Sequence, residues 1–118
     1  MCHKALKSVS IILIFYLSIV FLSCEKQKSV KLGFLAGLSG RVADLGVSGR
    51  NGGMLVIEEI NASGGINGKK VELIVRDDEQ NPETSNKVTA ELIDLGVEAI
   101  IGPMTSNTAM AIVPMINK

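Results

Sequence analysis

Three short apolar runs alternate with three longer amphipathic stretches in the part of the chain that follows residue 29. The runs comprise Val30–Leu35, Lys70–Arg76 and Val97–Ile101, and the last of them is rich in β-branched residues. Continuous apolar runs of this length are typical of strands that are buried on both faces of a parallel sheet. The order β-α-β-α-β-α therefore predicts an α/β fold in which a parallel sheet carries helices on both faces.

Helix start and stop signals frame the stretches between these runs. The first helix is predicted from about Leu45 to Ala62, where Ser63-Gly64-Gly65 supplies glycine for a left-handed cap. Asn81 is predicted to cap the second helix, with Pro82 at its favoured first position. Three glycines inside the first helix cost roughly 1 kcal/mol each relative to alanine, which favours a helix whose backbone closely approaches the sheet or a ligand. They are Gly49, Gly52 and Gly53.

A hydroxyl-rich junction joins the third strand, predicted to be buried, to the third helix. Gly102-Pro103 ends the strand, and Ser106 or Asn107 is suited to cap the helix that follows. A strand end that faces a helix start is where open α/β sheets bind ligands, and the helix dipole favours an anion such as a carboxylate. Thr105 and Ser106 would add hydroxyl donors to such a site. A role confined to capping the helix is equally compatible with these residues.

Residues 1–23 have the pattern of a secretion signal. Lys4 and Lys7 precede an apolar run, Val9–Leu22, of about 14 residues. A helix that crosses a bilayer needs about 20 residues, so the run fits a secretory signal better than a permanent membrane span.

Cys24 follows this signal directly and is predicted to be lipidated. Leu22-Ser23-Cys24 resembles the lipobox of bacterial lipoproteins, although Phe21 departs from that pattern. Residues 24–29 would then form a lipidated polar tether, and residues 30–118 would form the folded part. Ordinary signal cleavage beside a chance cysteine is the alternative.

Several chemical classes are disfavoured by the rest of the sequence. The formal net charge is zero, so nothing indicates binding to nucleic acid. The glycines after the first strand, Gly33, Gly37 and Gly40, do not form the dinucleotide-binding fingerprint. The only histidine, His3, lies in the signal, and Asp77-Asp78-Glu79 is more typical of a solvated loop beside a helix start than of a metal site. We therefore predict no enzyme activity, no cofactor and no metal.

Three motifs identify a family at this point. They are VKLGFLAGLSG at residues 30–40, RNGGMLVIEEINASGGINGKKVELIVRDDEQNP at 50–82 and VEAIIGPMTSNTAMAIVP at 97–114. With these motifs at this spacing, the chain resembles the periplasmic substrate-binding proteins of branched-chain amino acid ABC transporters, the leucine/isoleucine/valine-binding family. The resemblance covers essentially all of the chain after the signal.

The resemblance implies a type I periplasmic-binding-protein clamshell of two α/β lobes with the ligand held between them. This chain would form the first part of the amino-terminal lobe, and its ending after three strands leads us to expect a longer polypeptide. The implied function is capture of an amino acid, branched-chain or similar, for the membrane permease of an ABC importer at the periplasm or cell surface. A ligand-sensing receptor domain of the same fold is the alternative.

The resemblance also implies the site residues. Thr105 and Ser106, with Asn107 beside them, would hold the α-carboxylate of the amino acid. The position of Leu45 often carries an aromatic residue that lines the side-chain pocket in the family. Leu45 departs from that pattern, which leaves the identity of the ligand open.

Overall fold

The computed structural model of the protein describes residues 28–41 and 43–117. They form three strands and three helices in strict alternation, as the sequence predicts. The elements are β1 (Val30–Ala36), α1 (Ala43–Ala62), β2 (Val71–Asp77), α2 (Pro82–Asp94), β3 (Ala99–Ile101) and α3 (Ser106–Ile116). The predicted signal and Cys24 lie outside the described residues, so secretion and lipidation stay predictions. None of the helices among residues 43–117 is both long and apolar enough to cross a membrane.

The three strands form one parallel sheet in the order β2-β1-β3. The register of β1 with β2 runs from Val30 opposite Val71 to Ala36 opposite Asp77. The chain leaves β1 towards one side to form β2 and then returns to the other side of β1 to form β3. The strand order therefore reverses at β1, and ligands bind at such a switch point in open α/β sheets.

The helices cover both faces of this sheet, which confirms the predicted fold class. Successive side chains of a strand point to opposite faces, and Phe34 and Leu35, two of the four buried residues of β1, follow this rule. Phe34 lies under α1, where the ideal Cβ position of Gly53 is 3.9 Å from its ring. Leu35 faces the other way and packs in one cluster with residues of α2 and α3. That cluster contains Leu35, Val88, Leu92 and Ile112.

The third strand differs from the prediction in length and in burial. It begins at Ala99 rather than Val97, because the amide of Val97 donates to Leu92 O of the preceding helix at 3.3 Å. Ala99 and Ile101 are exposed and Ile100 is half-buried, so the expectation of a buried strand is wrong. The physical reason is that, within the described residues, β3 pairs with β1 alone and no further strand covers its other edge.

Two asparagines fix the ends of helices. Asn81 caps α2 as predicted, since its side chain accepts hydrogen bonds from the amides of Glu83 at 2.8 Å and Thr84 at 3.1 Å. Asn61, near the end of α1, has a role that the sequence did not reveal. Its carboxamide donates to Val71 O at 2.8 Å and accepts from Val71 N at 2.7 Å. These two hydrogen bonds satisfy both backbone polar groups of Val71, the first residue of β2.

Candidate functional site

A cavity of about 230 Å³ lies at the edge where all three parallel strands end. Drug-sized ligands occupy pockets of about 300–1,000 Å³, so this cavity suits a smaller molecule. Its lining comes from the segments that follow β1, β2 and β3, so it spans the switch point of the sheet. The lining residues are Gly37, Leu45, Gly46, Gln80, Met104 and Thr105.

The first turn of α1 forms one wall because a glycine lets it approach the end of β1. A Cβ on Gly46 would collide with the carbonyl oxygen of Gly37, so no side chain fits between these two backbones. This close approach brings Leu45 to the cavity, where its side chain is 60% exposed. The structure thus places the predicted pocket residue Leu45 beside open space.

Thr105 lies on the opposite wall and occupies the cap position of α3. Its backbone is extended, with φ −124° and ψ 146°, and its carbonyl oxygen accepts from the amide of Ala109 at 3.0 Å. The prediction that Ser106 or Asn107 caps this helix is therefore wrong. Ser106 is already the first helical residue, because the chain turns into the helix one residue earlier.

The hydroxyl of Thr105 does not cap the helix either. It pairs with the Thr108 hydroxyl at 2.8 Å, and Thr108 Oγ1 donates in turn to Thr105 O at 3.0 Å. No side chain in the described part of the chain accepts a hydrogen bond from the first-turn amides of α3. These amides have no side-chain acceptor among the described residues, and the positive end of the helix dipole favours an anion at this position.

Ser106 and Asn107 lie in this same first turn but do not line the cavity. Both residues are exposed. Of the four predicted ligand-binding residues, the structure thus brings Leu45 and Thr105 together at the cavity and leaves the other two outside its lining.

The acidic segment after β2, Asp77 to Glu79, is only partly solvated. Asp78 is only 1% exposed, and its Oδ1 accepts from the amide of Gln80 at 2.9 Å. Asp77 is half-buried, and its Oδ1 accepts from the amides of Leu38 and Glu79, both at 2.8 Å. The interpretation of this segment as a solvated loop is therefore wrong for Asp78, whereas Asp77 is only half-buried and Glu79 is exposed. Within the described residues no three potential ligands cluster around a metal position.

The hydrogen bonds to Asp77 shift its titration. Partial burial by itself raises the pKa of this carboxyl. The hydrogen bonds from the Leu38 amide, from the Ser39 hydroxyl and amide, and from the Glu79 amide outweigh that effect and hold the pKa below its ordinary value of 3.8. Asp77 is therefore a charged clamp between the end of β2 and the loop that leads from β1 to the cavity.

Gln80 is the cavity residue that the sequence did not single out. It lies in the wall between the ends of β1 and β2, where its side chain packs over Gly37. A Cβ on Gly37 would lie 2.5 Å from the Gln80 side chain, so a larger residue at this position would force that side chain to move. Its position shortly after the end of β2, behind Asp77, Asp78 and Glu79, was the available signal.

A second cleft, of about 340 Å³, lies at the opposite end of β3. Apolar side chains of α2, β3 and α3 dominate its lining, and Glu98 is its only charged residue. Among residues 28–41 and 43–117, no helix amino terminus and no carboxyl end of a strand contributes to its lining, so we place the candidate site at the other edge of the sheet. The lining residues are Ile93, Val97, Glu98, Ala99, Ile100, Met115 and Ile116.

Comparison with known proteins gives matches over nearly all of the described residues. The family model described as periplasmic binding protein matches residues 29–118. A Leu/Ile/Val-binding protein of Rhizobium johnstonii is 34% identical over 83 residues, which cover 70% of this chain and 23% of that protein.

Solved structures of similar proteins share the fold. The branched-chain amino acid transporter substrate-binding protein LivJ of Streptococcus pneumoniae, in complex with isoleucine, matches with a TM-score of 0.73 and 35% identity over 76% of this chain and 26% of that chain. The fatty acid ABC transporter substrate-binding protein of Thermomonospora curvata matches with a TM-score of 0.71 and 32% identity, over 75% of this chain and 23% of that one. The chain thus spans about a quarter of the length of these relatives.

Proposed function

The chain belongs to the periplasmic binding protein family, and from this premise we propose that its strand-end cavity binds an amino acid, branched-chain or similar. The observation that carries the proposal is the open amino terminus of α3 beside the apolar side chains of Leu45 and Met104. One part of the site suits a carboxylate and the other suits an aliphatic side chain, and an amino acid carries both. The relatives described above are binding proteins by name, in agreement with the prediction that this chain is not an enzyme.

The carboxylate is held by hydrogen bonds from the first turn of α3. Amides at a helix amino terminus point towards an anion, and the dipole adds a favourable charge. Thr105 and Ser106 contribute their hydroxyls, and Asn107 contributes its carboxamide. Binding would turn the Thr105 hydroxyl from its partner Thr108 towards the ligand.

The names of the relatives support a branched-chain ligand. The protein of Rhizobium johnstonii is named for binding leucine, isoleucine and valine, and the one of Streptococcus pneumoniae was solved with isoleucine. We extend this ligand class to the present chain because its cavity wall offers Leu45 and Met104 to an aliphatic side chain.

A fatty acid is the second candidate ligand. The apolar wall accommodates an alkyl chain as well as an amino acid side chain. The amides at the start of α3 can donate to the carboxylate of either ligand. The relative of Thermomonospora curvata is named for fatty acids at a similar level of identity. The two ligand classes differ in the α-ammonium group, which only the amino acid carries.

Membership of this family implies a location outside the cytoplasm. We further propose that Cys24 carries lipid and anchors the protein to a membrane beside the permease of an ABC importer. In a bacterium that processes lipoproteins, the protein should enter the detergent phase of an extraction, whereas Cys24→Ala should stay in the aqueous phase. Equal partition of both forms would refute the lipid anchor.

Calorimetric titration of the protein, expressed from its own gene, tests the proposed site. Leucine, isoleucine and valine are the probes, with hexanoate for the fatty acid alternative. Thr105→Val and Ser106→Ala should each weaken amino acid binding about ten- to a hundred-fold, since a hydrogen bond to a charged group contributes about 1.5–3 kcal/mol. Ser63→Ala, an exposed hydroxyl at the far end of α1, is the matched control. Equal affinities in all variants would show that these hydroxyls do not hold the ligand.

A further inference from the structure

The three glycines in the middle of α1, Gly49, Gly52 and Gly53, differ in what surrounds them. Nothing lies within 4 Å of the ideal Cβ position of Gly52, and the nearest atom to that of Gly53 is 3.6 Å away, an ordinary contact. The ideal Cβ position of Gly49 is instead 2.6 Å from Met104 Cε and 3.3 Å from Met104 Sδ. Of the three glycines, Gly49 therefore has the closest neighbour, and this neighbour is a side chain from the segment after β3.

The side chain of Met104 reaches from that segment to the backbone of α1. It is half-buried and lines the strand-end cavity. The Phe34 ring lies beside the same point of α1, because its Cζ atom is 3.4 Å from the ideal Cβ position of Gly49. This ring is only 1% exposed, and protein interiors are close-packed, so it has little room to move. The end of Met104 is thus bounded by α1 and Phe34 on one side and by the cavity on the other.

A methyl group on residue 49 would displace the end of Met104. Two carbon atoms in contact lie about 3.5–4.0 Å apart, so a separation of 2.6 Å cannot persist. Methionine has three rotatable bonds and moves at small cost. The open space next to Met104 is the cavity, with its volume of about 230 Å³. The displaced methyl group of Met104 would therefore take up space that a ligand side chain could otherwise fill.

We propose that Gly49 is a positioning residue for ligand size: because it has no side chain, Met104 can lie against α1, and the cavity keeps the space that a leucine side chain needs. Gly49 does not line the cavity itself, so its effect passes through Met104. The inference rests on the proposed function, because it concerns the aliphatic part of the same amino acid ligand.

Calorimetric titration of the protein expressed from its own gene tests this inference with L-leucine and L-valine, which differ by one methylene group. In Gly49→Ala the affinity for leucine relative to valine should fall about tenfold or more, since one methylene group in an apolar pocket changes discrimination by about 10- to 200-fold. A purely structural effect on α1 would lower both affinities together. Gly52→Ala adds the same methyl group to the same helix where nothing lies within 4 Å, and it should leave the ratio unchanged.

The variant Met104→Ala tests whether Met104 transmits the effect. Without the Met104 side chain, the nearest remaining neighbour of the ideal Cβ position of Gly49 is Phe34 Cζ at 3.4 Å, an ordinary contact. In a protein that already carries Met104→Ala, the further change Gly49→Ala should therefore leave the ratio of leucine to valine affinity unchanged. A tenfold fall in that ratio without the Met104 side chain would refute transmission through Met104.

The outcomes separate this inference from the proposed function. Failure of the wild type to bind leucine and valine would refute both. An unchanged affinity ratio in Gly49→Ala, with binding retained, would refute only the role of Gly49.

Thermal unfolding of each variant verifies that it is folded. If Gly49→Ala does not fold, NMR of the wild type labelled with ¹³C at its methionine methyl groups provides the test. Leucine should shift the Met104 methyl resonance, identified by its loss in Met104→Ala, more than valine does. Equal shifts with both amino acids, or none, would refute the inference.

Discussion

At the amino-terminal edge of the sheet, the carboxamide of Asn61 pairs with both backbone groups of Val71, whereas at the carboxyl-terminal edge the carboxamide of Gln80 pairs with no described residue. At the amino-terminal edge the ammonium group of Lys31 also satisfies a backbone carbonyl, since it donates to Leu95 O at 3.0 Å. The second edge has a cavity and a helix start that no described side chain caps. The same kinds of polar group therefore complete the fold at one edge and remain available to a ligand at the other.

This contrast separates two kinds of polar interaction. Hydrogen bonds at the amino-terminal edge satisfy strand and helix groups and should contribute to stability alone. At the carboxyl-terminal edge, the carboxylates of Asp77 and Asp78 accept hydrogen bonds from loop amides, those of Leu38 and Gln80, and so fix the conformation of these loops. These loops contribute Gly37 and Gln80 to the cavity walls. Substitutions at the two edges should therefore differ in whether they change ligand affinity.

The largest effect is expected for Gly46→Ala at the carboxyl-terminal edge. The added methyl group would collide with Gly37 O, so α1 must shift away from the cavity. Such overpacking costs about 1–3 kcal/mol of unfolding free energy, and the displaced wall should abolish measurable ligand binding. Gly52→Ala in the same helix is the control, because nothing lies within 4 Å of its ideal Cβ position. It should raise the free energy of unfolding by roughly 1 kcal/mol. If Gly46→Ala and Gly52→Ala had the same free energy of unfolding in urea and the same ligand affinity, the close approach of α1 to Gly37 would be contradicted.

Asn61→Ala should have the next largest effect, and at the amino-terminal edge only. It removes the partners of Val71 N and Val71 O, which should lower the free energy of unfolding by about 1–3 kcal/mol. Ligand affinity at 25 °C should stay within twofold of the wild type. Asn51→Ala, an exposed residue of α1, should change stability by less than about 0.5 kcal/mol. A large loss of ligand affinity in Asn61→Ala would contradict the claim that polar groups at the amino-terminal edge contribute to stability alone.

The smallest effect is expected for Asp77→Asn, and it depends on pH. The pKa of Asp77 is lowered in the folded protein, so its charged form stabilises the fold at pH values above the ordinary 3.8. This contribution is lost as the pH falls through 3.8 and then through the lower folded pKa. Asn retains an acceptor but not the charge, so the variant should lose about 0.5–1.5 kcal/mol at neutral pH.

The difference between wild type and Asp77→Asn should accordingly shrink below pH 4. Melting temperatures measured from pH 7 to pH 2 give this comparison directly. Glu59→Gln, an exposed carboxylate on α1, serves as the control for general charge effects. A difference between wild type and Asp77→Asn that stays constant over this range would show that the charge of Asp77 does not clamp Leu38.

The sequence predicts those features of the fold that depend on neighbouring residues. The alternation of apolar runs, the cap at Asn81 and the position of Thr105 after a strand end follow from local patterns and from chain order. Leu45 was named only because the chain resembles a known family. The features that it does not predict arise from contacts between distant segments. Asp78 is buried because β2 ends beside β1, and Gln80 reaches Gly37 only through that register. The cap of α3 shifted by one residue because three adjacent residues, Thr105 to Asn107, all favour the cap position.

The most direct test of the contrast between the edges is to map the amides that respond to a ligand by NMR. L-leucine is titrated into the uniformly ¹⁵N-labelled protein expressed from its own gene. The account predicts shifts at the carboxyl-terminal edge, in Gly37, Gly46, Gln80 and the first turn of α3, and none at Asn61 or Val71. Shifts centred on the amino-terminal edge, or on the cleft at the start of β3, would contradict it.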